Sequence, residues 1–372
     1  MNVSMQLLGR VSIIFGTLLV SMLNLIVFAD SSEMTELEKI NAYGKIYLYS
    51  LIVPLISISG IFLAYINKQN KLKSLIKNGI APIKAKGMIF ISPELTKPNV
   101  LIIIGSIIFV LFTLFIGTSK IQFSQEIVFV GSFGIILLLL IKLSNELDTK
   151  AKRMLLGTAI IIFVFRAMPG VGQGGSWFEI DVLKFDQEFL SLLGLIASFL
   201  TIFGIFILRP LMEKSSMSRL IIILSVAGSI FILPSIAMYY GFHEYTSKLT
   251  GGIVDERFIA IFNTALESPL GQVSMIPILA WIAQSAPSHL KATFFAILAS
   301  FTNLALSASN LGTKYLNQIF VITREVKTEQ GEIKIPADYS ELGILLIIVC
   351  LLTLIVPIII TFVIKKLRLI SY

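Results

Sequence analysis

The sequence predicts an all-α polytopic membrane protein, and three observations carry that reading. Of its 372 residues, 56% are hydrophobic and only 14% are charged, against roughly 25% charged in a soluble domain. The mean hydropathy is +0.89. The apolar residues gather into ten stretches, 11–29, 45–66, 99–117, 125–144, 154–177, 189–208, 220–241, 257–283, 292–312 and 342–364, each close to the ~20 residues that a bilayer crossing needs. No soluble core absorbs that many apolar side chains, so about ten transmembrane helices are expected.

The net charge of +8 does not point to nucleic acid, because the basic residues sit in short loops and do not line one face. They set orientation instead. With Lys365, Lys366 and Arg368 cytoplasmic, ten spans put both termini inside. The internal segments then hold Arg10; Lys68, Lys71, Lys73, Lys77, Lys84, Lys86 and Lys97; Lys150, Lys152 and Arg153; Arg209, Lys214 and Arg219; and Lys291. The outer segments are acidic or mixed, with Asp30, Glu33, Glu36 and Glu38, then Glu179, Asp181 and Asp186, then Glu244, Asp255 and Glu256, then Glu325, Glu329, Glu332 and Asp338. The expected location is a multi-pass position in the bacterial inner membrane.

The first stretch follows Arg10 and ends Val27-Phe28-Ala29, which looks like a cleavage site. Its apolar run of about nineteen residues exceeds a signal h-region, so it reads as a retained span with Arg10 as a topology determinant. The segment 68–98 carries seven lysines and no acid before Glu94. It reads as a basic cytoplasmic linker, with attraction to anionic membrane lipid as the functional alternative. Lys142 reads as a snorkelling side chain at the end of 125–144.

The stretch 154–177 is interrupted by Pro169 and several glycines. If its helix continues past Pro169, Arg166 lies midway along it, faces the bundle interior and needs an anion. If the helix stops there, Arg166 snorkels to the outer interface. Gly170, Gly172, Gly174 and Gly175 lack the Lys-Ser/Thr ending of a phosphate loop, and they read as ending or locally unwinding the helix. On 189–208, Ser191, Gly194, Ser198 and Thr201 form a small-residue packing seam.

The stretch 257–283 is the least comfortable in hydrocarbon. Asn263 and Glu267 are four apart and share one helical face, which Gly271 and Ser274 continue while Gln272 lies round the side. Glu267 is about ten residues past the outer mouth at Asp255–Arg257, or roughly 15 Å at helical rise. A central charge there costs roughly 2.5–3.5 kcal/mol on insertion scales. Pro269 and Pro277 remove two backbone donors and predict a kink. A carboxyl group near midplane suits either proton coupling or a structural hydrogen bond to a neighbouring helix. On 292–312, Thr293, Ser300, Asn303, Ser307 and Asn310 fall on one face, which either lines a pathway or packs closely.

Nothing predicts an enzyme, a cofactor or a metal. The two histidines, His243 and His289, lie in loops without a paired ligand spacing. The one cysteine, Cys350, excludes a disulfide within the chain and reads as a packing contact.

Three stretches resemble the folate–biopterin transporter family, a branch of the major facilitator superfamily. Pro169-Gly170 through Phe185-Asp186-Gln187-Glu188-Phe189-Leu190 looks like its seventh span and the loop after it. Leu266-Glu267-Ser268-Pro269-Leu270-Gly271-Gln272-Val273 is similar to its L-E-x-x-L-G-Q-V in span ten. Lys291-Ala292-Thr293-Phe294-Phe295-Ala296 with Ser300-Phe301-Thr302-Asn303-Leu304 is similar to its E-A-T-x-F-A-L-L-x-S-x-x-N opening of span eleven, with Lys291 in place of the acid. The resemblance covers about 154–364.

It implies a major-facilitator-like helix bundle with a complete C-terminal six-helix half, 154–372, and an incomplete N-terminal half. On this reading 1–67 holds two spans of the N-terminal bundle, 68–98 is the linker and 99–153 holds two extra spans. The start, Gln6 to Arg10 and then Gly16, is similar to the opening of the family's span five; a rival count makes it the lead to span three. Family proteins have about twelve spans with the solute site between two six-helix bundles at midplane, so a separate polypeptide supplying the other helices is an expected partner. The resemblance implies a secondary active transporter of folate, biopterin or a related pterin. Glu267 would serve proton coupling, Arg166 would meet a substrate anion, and Asn263, Gln272, Asn303 and Asn310 would face the pathway. The alternatives are a transporter-fold protein for another small solute, such as an amino acid or sugar, and a non-transporting remnant or accessory subunit.

Overall fold

Backbone groups in hydrocarbon have to pair within their own segment, which makes helices of the apolar runs. The structure, a computed structural model, describes residues 3–28, 34–89, 100–119, 121–145, 147–271, 273–285, 291–327 and 333–369. Gln272 and His289 lie outside the described residues. The chain runs through α1 (Val3–Val27), α2 (Glu36–Ser50), α3 (Ile52–Lys77), α4 (Pro82–Ile89), α5 (Val100–Thr118), α6 (Ser124–Ser144), α7 (Thr149–Arg166), α8 (Gln173–Asp181) and α9 (Gln187–Ile207). It continues through α10 (Arg209–Lys214), α11 (Met217–Tyr239), α12 (Phe242–Leu249), α13 (Glu256–Glu267), a 3₁₀ turn (Ser268–Leu270), α14 (Met275–Ser285) and α15 (Lys291–Ile319). A short hairpin, β1 (Val326–Lys327) and β2 (Ile333–Ile335), precedes α16 (Leu342–Lys366).

Among the described residues, seven helical segments are long and apolar enough to cross a membrane: Leu7–Val27, Leu37–Lys77, Ser124–Ser144, Gln187–Ile207, Met217–Tyr239, Thr293–Ile319 and Leu342–Lys366. Ile103–Thr118 is a shorter apolar helix. The remaining two expected stretches, 154–177 and 257–283, are each interrupted, and their interruptions organise the functional site. The second span is longer than its apolar core. Helix α3 begins beside Pro54, whose ring excludes the carbonyl four residues back. It runs on to Lys77, so Lys68, Lys71 and Lys73 are helical where a linker is expected.

Several helix starts carry the side-chain acceptor that their orphan amides need. Thr35 and Glu38 form a capping box, and Asp148, Asp186, Ser216 and Asp255 cap α7, α9, α11 and α13. The largest buried cluster lies where α6, α7, α11, α14, α15 and α16 meet, around Ile136, Ile162, Ile221, Ile282, Phe294 and Ile364. A second joins Leu7 and Ile14 of α1 to Ile205, Leu220, Val273 and Ile276. Helices α11 and α16 approach closely, and Cys350 Sγ lies 3.4 Å from the Ser229 carbonyl oxygen between them.

From Thr149 onward the helices fall into two triplets, α7–α8 with α9 and α11, and α13–α14 with α15 and α16. The triplets run in opposite senses. Helix α7 starts at the end bearing Lys150, Lys152 and Arg153, whereas α13 starts beside Asp186 through the Arg257–Asp186 ion pair of 2.8 Å. The broken member comes first in each triplet.

Candidate functional site at two helix breaks

The first break begins at Arg166, the last residue of α7. Pro169 cannot continue the helix, because it lacks the amide donor and its ring collides with the carbonyl of Phe165. The chain resumes as α8 from Gly172, which has φ +79, a left-handed conformation that glycine takes without penalty. A Cβ there would lie 2.8 Å from Asn317 Nδ2. The freed backbone groups are taken up by α15. Ser309 Oγ donates to the Met168 carbonyl at 2.6 Å, the Gly170 amide donates to Thr313 Oγ1 at 2.9 Å, and Asn317 Nδ2 donates to the Val171 carbonyl at 3.1 Å. The three side chains are four residues apart and share one face of α15. Sequence reading missed this set. The signal available was a polar triad at helical spacing in a chain with a Pro-Gly break to satisfy.

The second break begins at Glu267, the last residue of α13. Pro269 stands inside the 3₁₀ turn, and α14 starts at Met275. Pro277 falls in the first turn of α14, where a missing donor costs nothing because those amides lack helical partners anyway. The expected kink is therefore a full interruption at Pro269, with no second one at Pro277. Helix α9 closes on the turn: Thr201 Oγ1 donates to the Ser268 carbonyl at 2.9 Å. Gly204 faces Pro269 so closely that a Cβ would fall 2.3 Å from its Cα. The small-residue seam of α9 thus serves two neighbours, since Gly194 faces Ser21 of α1.

The breaks meet at Arg166. Its Nη1 donates to Met275 Sδ at 3.0 Å, and its Nε is buried without a partner. The helix stops before Pro169, yet the half-buried guanidinium packs against the other broken span. Glu267 is exposed and makes no ion pair with Arg166 among the described residues. Asn263 is half-buried, and its Oδ1 is buried without a partner.

Asn303 and Asn310 lie elsewhere, on the wall of a cavity of about 1390 Å³ with Ser300 and Ser307. The opposite wall comes from α5 and α6 through Phe109, Thr113, Glu126, Phe129 and Ser132, and Gly172, Gln173, Gly174 and Trp177 contribute a third side. One end is tied by Glu126 Oε1, which accepts from Lys314 Nζ at 2.7 Å and from the Tyr315 hydroxyl at 2.8 Å. Thr113 Oγ1 and Glu126 Oε2 are buried without partners. The predicted residues thus form two groups, Arg166, Asn263 and Glu267 flanking the breaks and Asn303 and Asn310 in the cavity.

Beyond the break, α8 is latched to the hairpin segment. Asp181 takes both arms of Arg324 at 2.7 and 2.8 Å and the Tyr339 hydroxyl at 2.7 Å. The Arg324 guanidinium holds the Asp181 carboxyl below the usual carboxylate range. Burial, followed by the bond to Asp181, pushes the Tyr339 phenol up to about 12. Among the described residues no group of three or more His, Cys, Asp and Glu side chains could share a metal ion.

No solved structure matches the chain. A folate-biopterin transporter of Synechocystis sp. (strain ATCC 27184 / PCC 6803 / Kazusa) is 23% identical over 156 residues, covering 42% of this chain and 30% of that relative. The chain therefore spans less than a third of the length of this curated relative. The BT1 family profile matches residues 10–371. Together with the span-ten and span-eleven motifs, that near-complete match shows that the chain belongs to the BT1 family, the folate–biopterin transporter family.

Proposed function

We propose that the chain moves a small solute across the membrane by alternating access, and that the solute is folate, biopterin or a related pterin. One observation carries this reading. The two broken helices occupy corresponding positions in two oppositely directed triplets and touch at Arg166 and Met275. Paired interrupted helices at the interface of inverted repeats are where many secondary transporters hold solute and coupling ion. Glu267 ends one broken helix with its carboxylate unpaired among the described residues, which suits a group that takes and gives up a proton. The Synechocystis relative, a folate-biopterin transporter, supports the pterin class.

The test is uptake of labelled folate and biopterin into vesicles bearing the full chain under an imposed pH gradient. Uptake is expected, with Glu267→Gln abolishing its response to the gradient. Gradient-dependent uptake that survives this substitution would remove Glu267 from coupling. Competition by unlabelled amino acids or sugars, with none by pterins, would favour the other-solute reading.

A further inference from the structure

Arg10 and Arg166 are distant in sequence and lie in different helices, but they serve one small region. The neighbours Val11 and Phe165 both pack on the cluster formed by Leu7, Ile14, Val273 and Ile276. Helix α1 packs along α14, whose first residue Met275 holds the Arg166 guanidinium. Arg10 lies close enough for its charge to act on Arg166. Two guanidiniums therefore share the neighbourhood of the breaks.

Among the described residues no carboxylate lies within ion-pair distance of Arg10 or Arg166. Of the carboxylates that fall within the spans, Glu126 is committed to Lys314 and Glu267 makes no ion pair among the described residues. A guanidinium offers five donors and cannot shed its charge, yet Arg166 directs one at a thioether, a weak acceptor, and leaves Nε bare. A topology signal explains neither the approach of the second guanidinium nor the unmet donors. A planar oxyanion explains both, because it accepts paired N–H bonds and cancels like-charge repulsion in a poorly screened setting.

We propose that Arg10 and Arg166 form a two-guanidinium receptor for a carboxylate or similar oxyanion. It rests on the transport reading only in making that anion part of the carried solute. It adds Arg10 to the site and requires an anionic group on the preferred solute.

The experiment uses the full chain in lipid nanodiscs and reads binding of glutarate against glutaramide, a neutral relative of the same skeleton, by calorimetry and thermal shift. Glutarate is expected to bind and glutaramide not. Arg10→Gln and Arg166→Gln should each weaken glutarate at least tenfold, while Arg10→Lys, which keeps the charge, should weaken it less than Arg10→Gln. Sulfate that displaces glutarate identifies a general oxyanion site, and sulfate that does not identifies a carboxylate site; either supports the receptor. Equal binding of glutarate and glutaramide, or glutarate binding unchanged in a folded Arg10→Gln, overturns it. Should Arg10→Gln fail to fold, wild-type glutarate affinity in a folded Arg10→Met, with the loss confined to Arg166→Gln, would remove the second guanidinium. Pterin uptake without glutarate binding would sink this inference alone. Arginine-dependent glutarate binding without pterin uptake would sink the transport reading alone.

Discussion

Gly204→Ala should damage this protein while Gly228→Ala, the same change in another spanning helix, should not. A Cβ on Gly204 would lie 2.3 Å from Pro269 Cα, 2.5 Å from its carbonyl oxygen and 2.7 Å from its Cβ. Two of those atoms are backbone in a turn fixed by proline, so no side-chain rotation relieves the overlap. Restoring an ordinary carbon contact of about 3.5 Å requires α9 and the turn to part by roughly 1 Å. Overpacking of this kind costs typically 1–3 kcal/mol, and it stretches the Thr201 bond to Ser268 as well. At Gly228 the new methyl would meet Thr353 Cγ2 at 3.6 Å, an ordinary contact, and it gains about 0.8–1 kcal/mol of helix propensity. Thermal unfolding in detergent micelles reads the difference, expected to be about 1–3 kcal/mol between the two variants, because both positions are helical and share the propensity gain. Equal stability of Gly204→Ala and Gly228→Ala would refute the claim that the second break is held by close approach of α9.

Three further outcomes follow from the contacts at the breaks, the cavity and the latch. Ser309→Ala removes the donor to Met168 and should cost about 1 kcal/mol in the same unfolding assay, while Ser307→Ala, on the cavity wall, should cost little; reversal of that order would count against the α15 triad. Lys314→Gln leaves the Glu126 carboxylate without its cation, so it should lower thermal stability, and exchanging the pair as Glu126→Lys with Lys314→Glu should recover part of the loss. For the latch, the Tyr339 phenol is raised, so its bond to Asp181 contributes in full below the ordinary tyrosine value of about 10 and is lost as pH rises through about 12. Asp181 is lowered by Arg324, so its contribution is present above the ordinary value of about 3.9 and is lost as pH falls through the folded one. Tyrosinate absorbance should show one phenol titrating near 12, moved only part-way down by Asp181→Asn because burial is the larger cause; a return to the ordinary value would refute that ranking.

The class of fold was readable because composition leaves a chain with this many apolar runs no alternative to membrane helices. Pro169 and Pro269 marked both interruptions, since the missing donor acts locally. Asn303 and Asn310 were placed on one face by helical spacing, and they do share the wall of a cavity. What escaped were tertiary pairings. Ser309, Thr313 and Asn317 gain their role from a break far away in sequence. Nothing local links Glu126 to Lys314, and only the packing of α6 on α15 joins them. Arg10 read as a topology signal because nothing local brings it towards Arg166. The helical run from Lys68 to Lys77 escaped for a different reason: its lysines signal orientation as strongly as they favour helix, and its apolar set, Leu72, Leu75 and Ile76, is too short to decide between the two.

The two breaks are satisfied by different neighbours, and this bears on how the molecule can move. The first is bonded to α15 by three side chains, so α7, the 167–172 segment and α15 form one internally satisfied unit. The second is held by α9 through Thr201 and the Gly204 approach, so α13, the turn and α9 form another. Between the breaks, the hydrogen bond that joins them directly is the contact of Arg166 with Met275. Separating either break from its own partner would strand backbone groups in hydrocarbon, where each unsatisfied group costs several kcal/mol. Parting the breaks from each other gives up a guanidinium–thioether contact and disturbs the packing of α14 on α7 and α15. Arg166 thus lies where the two internally satisfied units meet.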